Sequence, residues 1–247
     1  MASLALESVF RSLRIYHGPG APKAAMDALY RNFIEAGDLV FDIGAHVGDR
    51  VSSFRRLGAR VVAVEPQPLL VSALRHIHGR DPLVAIVDRA AGATADVLEF
   101  HVNSANPTVS TFSNAFLRAA DKAPGWEGQI WDDLIAVEVV TLDRLIACYG
   151  VPAFVKIDVE GWEEDVLRGL SWPLEALSFE FTTIARDVTT ACLNRLSLLA
   201  DYRYNLALGE SQSLIFEQWL PADQIEHHLS NLPHAANSGD VYARLHA

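Results

Sequence analysis

The chain is short of cysteine, short of positive charge and free of long apolar runs, and each shortage removes a class of protein. Cys148 and Cys192 are its only cysteines, and they form neither a CxxC pair nor a disulfide framework. Thiol redox chemistry and a disulfide-stapled scaffold are set aside, and a reducing cytoplasm is the expected compartment. Against 20 Lys and Arg stand 31 Asp and Glu, a net charge of −11. A surface that acidic repels phosphate backbones, so nucleic acid is not expected as a partner. No stretch reaches the roughly 18 apolar residues of a membrane span. In "MASLALESVFRSLRIYHG", Glu7, Arg11 and Arg14 interrupt the apolar run too early for a secretory core. There is no G-x-S-x-G elbow, and "HIHG" and "EHHL" lack the spacing of H-E-x-x-H. His76, His78, His227 and His228 are therefore read as exposed helix residues.

What is present is enough apolar sequence for a large core. Half of the 247 residues are hydrophobic, and the length suits one α/β domain. Residues 4–16 and 23–35 carry apolar side chains at helical spacing, separated by the breaker "HGPGAP". They predict an N-terminal helical extension over residues 1–36. From Leu39 the pattern alternates. "LVFDIG", "ARVVAVEP" and "PLVAIVDRA" read as strands, with "VSSFRRLG" and "PLLVSALRHI" as helices between them. Further on, "AFVKIDVEG" and "ALSFEFT" read as strands around the helical "WEEDVLRGL", and a helix is expected near 188–200. "DYRYNLAL", "SQSLIFEQ" and "DVYARL" read as closing strands, antiparallel where turn signals separate them. Such βαβ units imply a mostly parallel sheet with helices on both faces.

Residues 92–141 break the rhythm. "GATADVLEFHV" alternates like one strand of a hairpin, and a polar segment near 103–133 follows with Trp126 and Trp131. A long irregular insertion is either a lid or binding loop or an ordinary surface excursion. Its tryptophans are either platforms for a sugar ring or anchors of the loop. No repeat or linker marks a second domain, so residues 37–247 are read as one domain carrying this insertion.

The stretch "LVFDIGAHVGDR" ends a strand in Asp42 and turns at once through Gly44 and Gly48. A dinucleotide fingerprint needs a third glycine and a phosphate loop needs a lysine, and neither is here. A carboxylate at this corner favours a ligand with a cationic end and no phosphate. Glu65 ends the next strand, 23 positions after Asp42. Nucleotide folds place an acid about 20 residues on to accept ribose hydroxyls. Asp88 ends the third strand, placed for the adenine edge. An ammonium, a sulfonium and a ribose on one molecule fit this set, which is S-adenosylmethionine.

"VFDIGAHVGDR", "VVAVEPQP", "VTLDRL" and "VKIDVEGWEEDVLRGL" together resemble the FkbM family of S-adenosylmethionine-dependent methyltransferases. The resemblance covers about residues 38–181, with "SGDVYARL" as a family-like end. It implies a class I methyltransferase fold, Rossmann-like, with seven strands, mostly parallel, and an antiparallel last strand. It places Asp42, Gly44, Gly48, Glu65 and Asp88 around the cofactor, with Ala45 and His46 in the same loop. His46 departs from the asparagine usual there. It also implies methylation of a hydroxyl on a secondary metabolite or saccharide, so that the partner is a small-molecule or glycan acceptor.

An aliphatic hydroxyl is about as weak an acid as water, with a pKa of roughly 15.7, so its methylation needs a base or a metal. Asp158 and Glu160 close one strand and Glu180 closes its neighbour. Period-2 alternation puts Asp158 and Glu160 on one side of an extended segment. These three are expected to be catalytic, as a base cluster or as part of an all-oxygen site for a divalent cation such as Mg²⁺. Lys156 is expected to pair with an acid, and His46 and His101 stand in reserve as bases. Glu163, Glu164 and Asp165 suit the first turn of a helix and receive no chemistry. Two competing readings remain. One is a cofactor-binding protein of this fold without catalysis, the other a nicotinamide oxidoreductase, weakened by the missing glycine. The acceptor is not legible, and a homo-oligomer is left open.

Overall fold

The computed structural model describes residues 2–20, 23–121 and 123–246. Two helices come first, α1 (Ala2–His17) and α2 (Lys23–Tyr30). The βα alternation follows as β1 (Leu39–Ile43), α3 (Asp49–Arg56), β2 (Arg60–Val64), α4 (Pro68–His78) and β3 (Val84–Val87). Next come β4 (Ala90–Ala91), β5 (Asp96–Val102), α5 (Asn114–Ala120), β6 (Asp133–Val140) and α6 (Leu142–Tyr149). The remainder is β7 (Phe154–Ile157), α7 (Glu163–Arg168), β8 (Ala176–Thr182), α8 (Arg186–Leu199), β9 (Tyr202–Leu208), α9 (Ala222–Asn231) and β10 (Ser238–Leu245).

Seven strands form the main sheet in the order β3-β2-β1-β7-β8-β10-β9, and β10 runs antiparallel to both of its neighbours. This is the sheet expected from the sequence. A smaller sheet, β4-β6-β5, sits beside it, and β5 and β6 form a hairpin whose long connection is the polar insertion. No helix among the described residues is long and apolar enough to cross a membrane.

Each central strand is apolar on both sides because both faces are covered. One face carries Phe41, Ile43, Val155, Ile157, Leu177 and Phe179 toward α6, α7 and α8. The other carries Val40, Phe154 and Tyr242 toward α2 and α3. There Phe33 stacks on Phe154 and Tyr242 with ring centroids 5.0 and 5.3 Å away, and Tyr30 meets Phe54 edge-on at 4.7 Å. Fully burying one such ring contributes about 1.5–3 kcal/mol. This second face changes character toward the carboxyl ends of the strands. Following the same parity, Val40 gives way to Asp42, Phe154 to Lys156 and Asp158, Ala176 to Ser178 and Glu180, and Tyr242 to Asp240. The sequence thus builds one sheet face as core at one end and as a charged floor at the other.

Lys156 is the hub of that floor. It is fully buried, and its ammonium donates to Asp158 at 3.0 Å and to Asp240 on β10 at 2.7 Å. The expected pairing of Lys156 with an acid is therefore made twice. Asp240 also lies directly opposite Glu180 in the β8–β10 register, a like-charge pair that costs stability without a cation nearby.

Several local expectations need correcting. "SQSLIFEQ" is not a strand: the buried Asn205 side chain bonds both the amide and the carbonyl of Phe216, in place of a backbone ladder. α2 stops at Tyr30, short of residue 35, although Phe33 and Ile34 still pack beneath the sheet. α5 lies in the polar segment whose composition hid it, and β6 and α6, although apolar, went unassigned beside it. His78 is buried, with its Nε2 3.1 Å from the Gly48 carbonyl, because Gly48 lets α4 approach closely. His76 and His227 are exposed, as expected.

Replacing Lys156 by Met leaves Asp158 and Asp240 without their buried partner. Loss of one side of such an arrangement costs about 3–5 kcal/mol. Urea unfolding of Lys156→Met is expected to show a loss of that size, and a loss below about 1 kcal/mol would show the hub to be dispensable.

Candidate active site

A cavity opens over the charged floor, at the carboxyl ends of β1, β2, β7 and β8. This is where open α/β sheets hold ligands. Its first wall is the β1–α3 corner. Gly44 has φ 84° and lies so close to the Asp158 carbonyl that a Cβ would collide with it. The Gly44 and Ala45 amides both donate to the Val64 carbonyl, at 2.9 and 3.0 Å. Gly48, at φ 82°, starts α3, and a Cβ there would meet Leu74 at 2.7 Å. Two glycines therefore fix how tightly β1, β7 and α4 close around the corner.

Asp42 and Glu65 project from this wall and are almost fully buried. Glu65 accepts the His46 amide at 2.9 Å on one oxygen and the Gln67 amide at 2.8 Å on the other. Burial raises its carboxyl to about 8, although both amide bonds oppose the rise. Asp42 is raised to about 7, by burial first and then by Asp49, and its Oδ2 has no protein partner. His46 has φ 49° and meets Tyr16 of α1 edge-on at 5.4 Å. Burial lowers its ring to about 4, so it is neutral near pH 7, and its Nε2 has no partner.

Beside that corner, at the ends of β7 and β8, lies the acidic rim. One carboxylate oxygen each from Asp158, Glu160 and Glu180 lies within 4.8 Å of the others. The expected cluster forms, but not by extended alternation. The chain turns after Asp158, and Glu160 takes a left-handed backbone, φ 55°. That conformation costs a non-glycine residue roughly 1–2 kcal/mol. Burial raises Asp158, but Lys156 and Arg50 outweigh it and hold this carboxyl below the usual range. Glu160 is pushed well above that range by burial, Asp158 and Glu163, and Glu180 by burial, Glu160 and Asp158. The rim thus sorts into one ionised acid and two that keep protons more readily. Such a trio suits proton transfer, or an oxygen-ligated divalent cation.

Two expected residues stand elsewhere. Asp88 pairs with Arg75 at 2.9 Å, is 62% exposed and does not border the cavity. Its neighbours Arg89 and Ala90 border the cavity instead, so no acid reaches the expected adenine edge from β3. His101 faces the insertion, where its backbone pairs with Thr111, and it too lies outside the cavity. The insertion does border the cavity, through Pro107, Thr108, Ser110 and Phe112. Its tryptophans are anchors: Trp126 packs edge-on against Phe116 at 5.2 Å, and the Trp131 indole donates to the Val109 carbonyl at 2.8 Å.

Sequence reasoning missed three contributors. Arg50 sits beside the cofactor loop, pairs with Asp49 at 2.6 Å and with Glu210 at 3.0 Å, and keeps its Nε unpartnered. The Gln67 side chain donates to the Pro107 carbonyl at 3.0 Å and so ties the Glu65 loop to the insertion. Glu163, read as a helix-end acid, is buried. Arg50 was the most detectable, as the cation directly after "VGD".

Comparison with known proteins agrees with this geometry. The Methyltransferase FkbM domain matches residues 42–206. "Hexuronic acid methyltransferase AglP" of Haloferax volcanii is 26% identical over 164 residues, 66% of this chain and 62% of that protein's length. The matched segment thus spans less than two thirds of that relative. Among solved structures, precorrin-6y C5,15-methyltransferase from Geobacter metallireducens aligns with a TM-score of 0.47 and 14% identity, covering 91% of this chain and 86% of that one. A TehB-like SAM-dependent methyltransferase from Corynebacterium glutamicum gives 0.46 and 9%, covering 96% and 94%. The strand order, the glycine corner with its acids and the domain match over two thirds of the sequence lead to one conclusion: the chain belongs to the FkbM family of S-adenosylmethionine-dependent methyltransferases.

Proposed function

We propose that this methyltransferase acts on a hydroxyl of a saccharide or secondary metabolite and that Asp158, Glu160 and Glu180 activate that hydroxyl. The observation that carries the reading is the convergence of three carboxylates in the same cavity that Asp42 and Glu65 line. The hexuronic acid acceptor named for the Haloferax relative supports a sugar, at the coarse level of a distant match.

The residues present fit the cofactor. The unpartnered Oδ2 of buried Asp42 suits an ammonium, and Glu65, with each oxygen taken by only one amide, has lone pairs left for two ribose hydroxyls. Gly44, Ala45, His46 and Gly48 form the loop that would cover it. S-adenosylmethionine, when bound, supplies the methyl group. Transfer then depends on alignment, because an acceptor oxygen held in line gains most of its rate from position. The acidic rim removes the acceptor proton as the bond forms. Residues 107–112 of the insertion supply the acceptor side of the cavity. A base is favoured over a cation because burial and like charge raise the Glu160 and Glu180 carboxyls, which makes their ionised forms better proton acceptors.

Glu65→Ala is expected to weaken S-adenosylmethionine binding by about 1.5–3 kcal/mol, since it removes hydrogen bonds to a charged acceptor. Unchanged calorimetric affinity in that variant rules out the ribose role. Binding should also be linked to protons. Asp42 and Glu65 titrate near 7 and 8 without ligand, and the cofactor favours their ionised forms. Affinity is expected to rise from roughly pH 6 to about pH 9 and level off above, with net proton release that varies the heat between buffers of different ionisation enthalpy. Heats independent of the buffer would contradict this.

Asp158→Asn and Glu160→Gln should each lower kcat by at least about 10²-fold with cofactor affinity nearly unchanged. Chelation should have no effect if the rim acts as a base. Activity lost with chelator and restored by Mg²⁺ or Mn²⁺ assigns the same three acids to a cation instead. Near-normal turnover in both variants moves the chemistry off this rim.

A further inference from the structure

We propose that Glu163 and Thr111 are positioning residues that clamp the Val159–Gly161 turn from opposite sides and so aim Glu160 at Asp158 and Glu180. The inference rests on the reading that this acidic rim activates the acceptor.

Glu163 opens α7, where an acid commonly points to solvent and interacts with the helix dipole. This one folds back and is 2% exposed. Its Oε1 accepts the Val159 amide at 3.1 Å and the Gly161 amide at 3.2 Å. Those amides flank Glu160. With both drawn to one oxygen, the residue between them must bulge away, and Glu160 takes φ 55°.

Thr111 grips the bulge from the insertion. Its hydroxyl donates to the Glu160 carbonyl at 2.7 Å and accepts the Ser113 amide at 2.8 Å. Thr111 is itself fixed to β5 by reciprocal backbone bonds with His101, each 2.9 Å. It is fully buried. Behind the turn, Gly161 has φ 84° and leaves room only for hydrogen, since a Cβ would meet Phe116 Cδ2 at 2.9 Å. The turn is therefore held on three sides, by a carboxylate, a hydroxyl and an aromatic wall.

Neither Glu163 nor Thr111 borders the cavity, so neither touches acceptor or cofactor there. Their effect reaches the chemistry through the direction of one carboxylate. With the left-handed backbone at residue 160, that carboxylate lies in the 4.8 Å cluster. The clamp also joins two parts of the molecule. Thr111 belongs to the insertion that forms the acceptor side, so the segment that shapes the acceptor pocket also holds one of the acids that works on it.

The test uses two pairs of variants of the full chain. Glu163→Ala and Thr111→Val remove the acceptor and the donor, whereas Glu163→Gln and Thr111→Ser keep them. Misplacement of a reacting group by about 1 Å costs about 10²-fold. Glu163→Ala and Thr111→Val are expected to lose about tenfold to 10²-fold in kcat, with the S-adenosylmethionine dissociation constant within about threefold. Glu163→Gln and Thr111→Ser should recover most of that loss. Amide hydrogen exchange at Val159 and Gly161 should quicken in Glu163→Ala and stay slow in Glu163→Gln. The proposal is overturned if exchange at those amides is unchanged in Glu163→Ala, or if Gln and Ser fail to rescue. If Glu163→Ala does not fold, the threonine pair decides through the same kcat and affinity readings. Asp158→Asn and Glu160→Gln run in parallel separate the two ideas. If those two lose turnover while Glu163→Ala and Thr111→Val keep it, the clamp alone falls. If Asp158→Asn and Glu160→Gln themselves stay active, the catalytic rim falls and takes the positioning role with it, even where exchange shows that the turn was loosened.

Discussion

A buried ammonium makes this site possible. Asp42, Asp158, Glu180 and Asp240 all project from one sheet face over a few strands, and carboxylates gathered at low dielectric repel one another. Lys156 lies between Asp158 and Asp240, and the pair of acids in turn keeps its charge in place although burial opposes it. Desolvation of such ions costs several kcal/mol each, so the cluster is better suited to hold geometry than to add stability. The strands that meet here, β7, β8 and β10, are joined at the site by charge as well as by backbone hydrogen bonds.

The same lysine divides the acids into two kinds. It holds the Asp158 carboxyl, which it touches, below the usual range. Glu160 and Glu180, which it does not touch, are raised by burial and like charge although Lys156 opposes the rise. In the same cavity, Asp42 and Glu65 are poised near neutrality by burial. Cation-bearing and hydroxyl-bearing partners are what such a cavity can bind, and an excess of carboxylates needs no basic patch. The acidity of the composition reappears inside the cavity, in Asp42, Glu65, Asp158, Glu160 and Glu180.

The parts of the fold set by periodicity were legible in the sequence. The strands carrying Asp42, Glu65 and Lys156 were read from short apolar runs, and the glycine corner from Gly44 and Gly48. The antiparallel β10 followed from the family resemblance. The parts hidden from sequence depend on contacts far along the chain. Glu163 looked like any acid in a first helical turn, and nothing local shows that its oxygen is taken by Val159 and Gly161. Asp88 matched a pattern of acids on strand ends, but Arg75 on the preceding helix captures it. "SQSLIFEQ" carries strand-like residues, yet the Asn205 side chain supplies the bonds a ladder would have made. In each case a side chain competed with the backbone or with the ligand, and spacing alone does not reveal who wins.

The position of β10 has a consequence for how the protein is made. Lys156 and Asp240 are 84 residues apart, and the strand that carries Asp240 enters between β8 and β9 after both have been synthesised. A nascent chain that has emerged only as far as β9 holds the glycine corner and the acidic rim, but its lysine lacks one of two counter-charges. Edge hydrogen bonds of β8 and β9 are also open at that stage, which is the state most prone to pairing with a neighbour. Late insertion of one strand closes both gaps together.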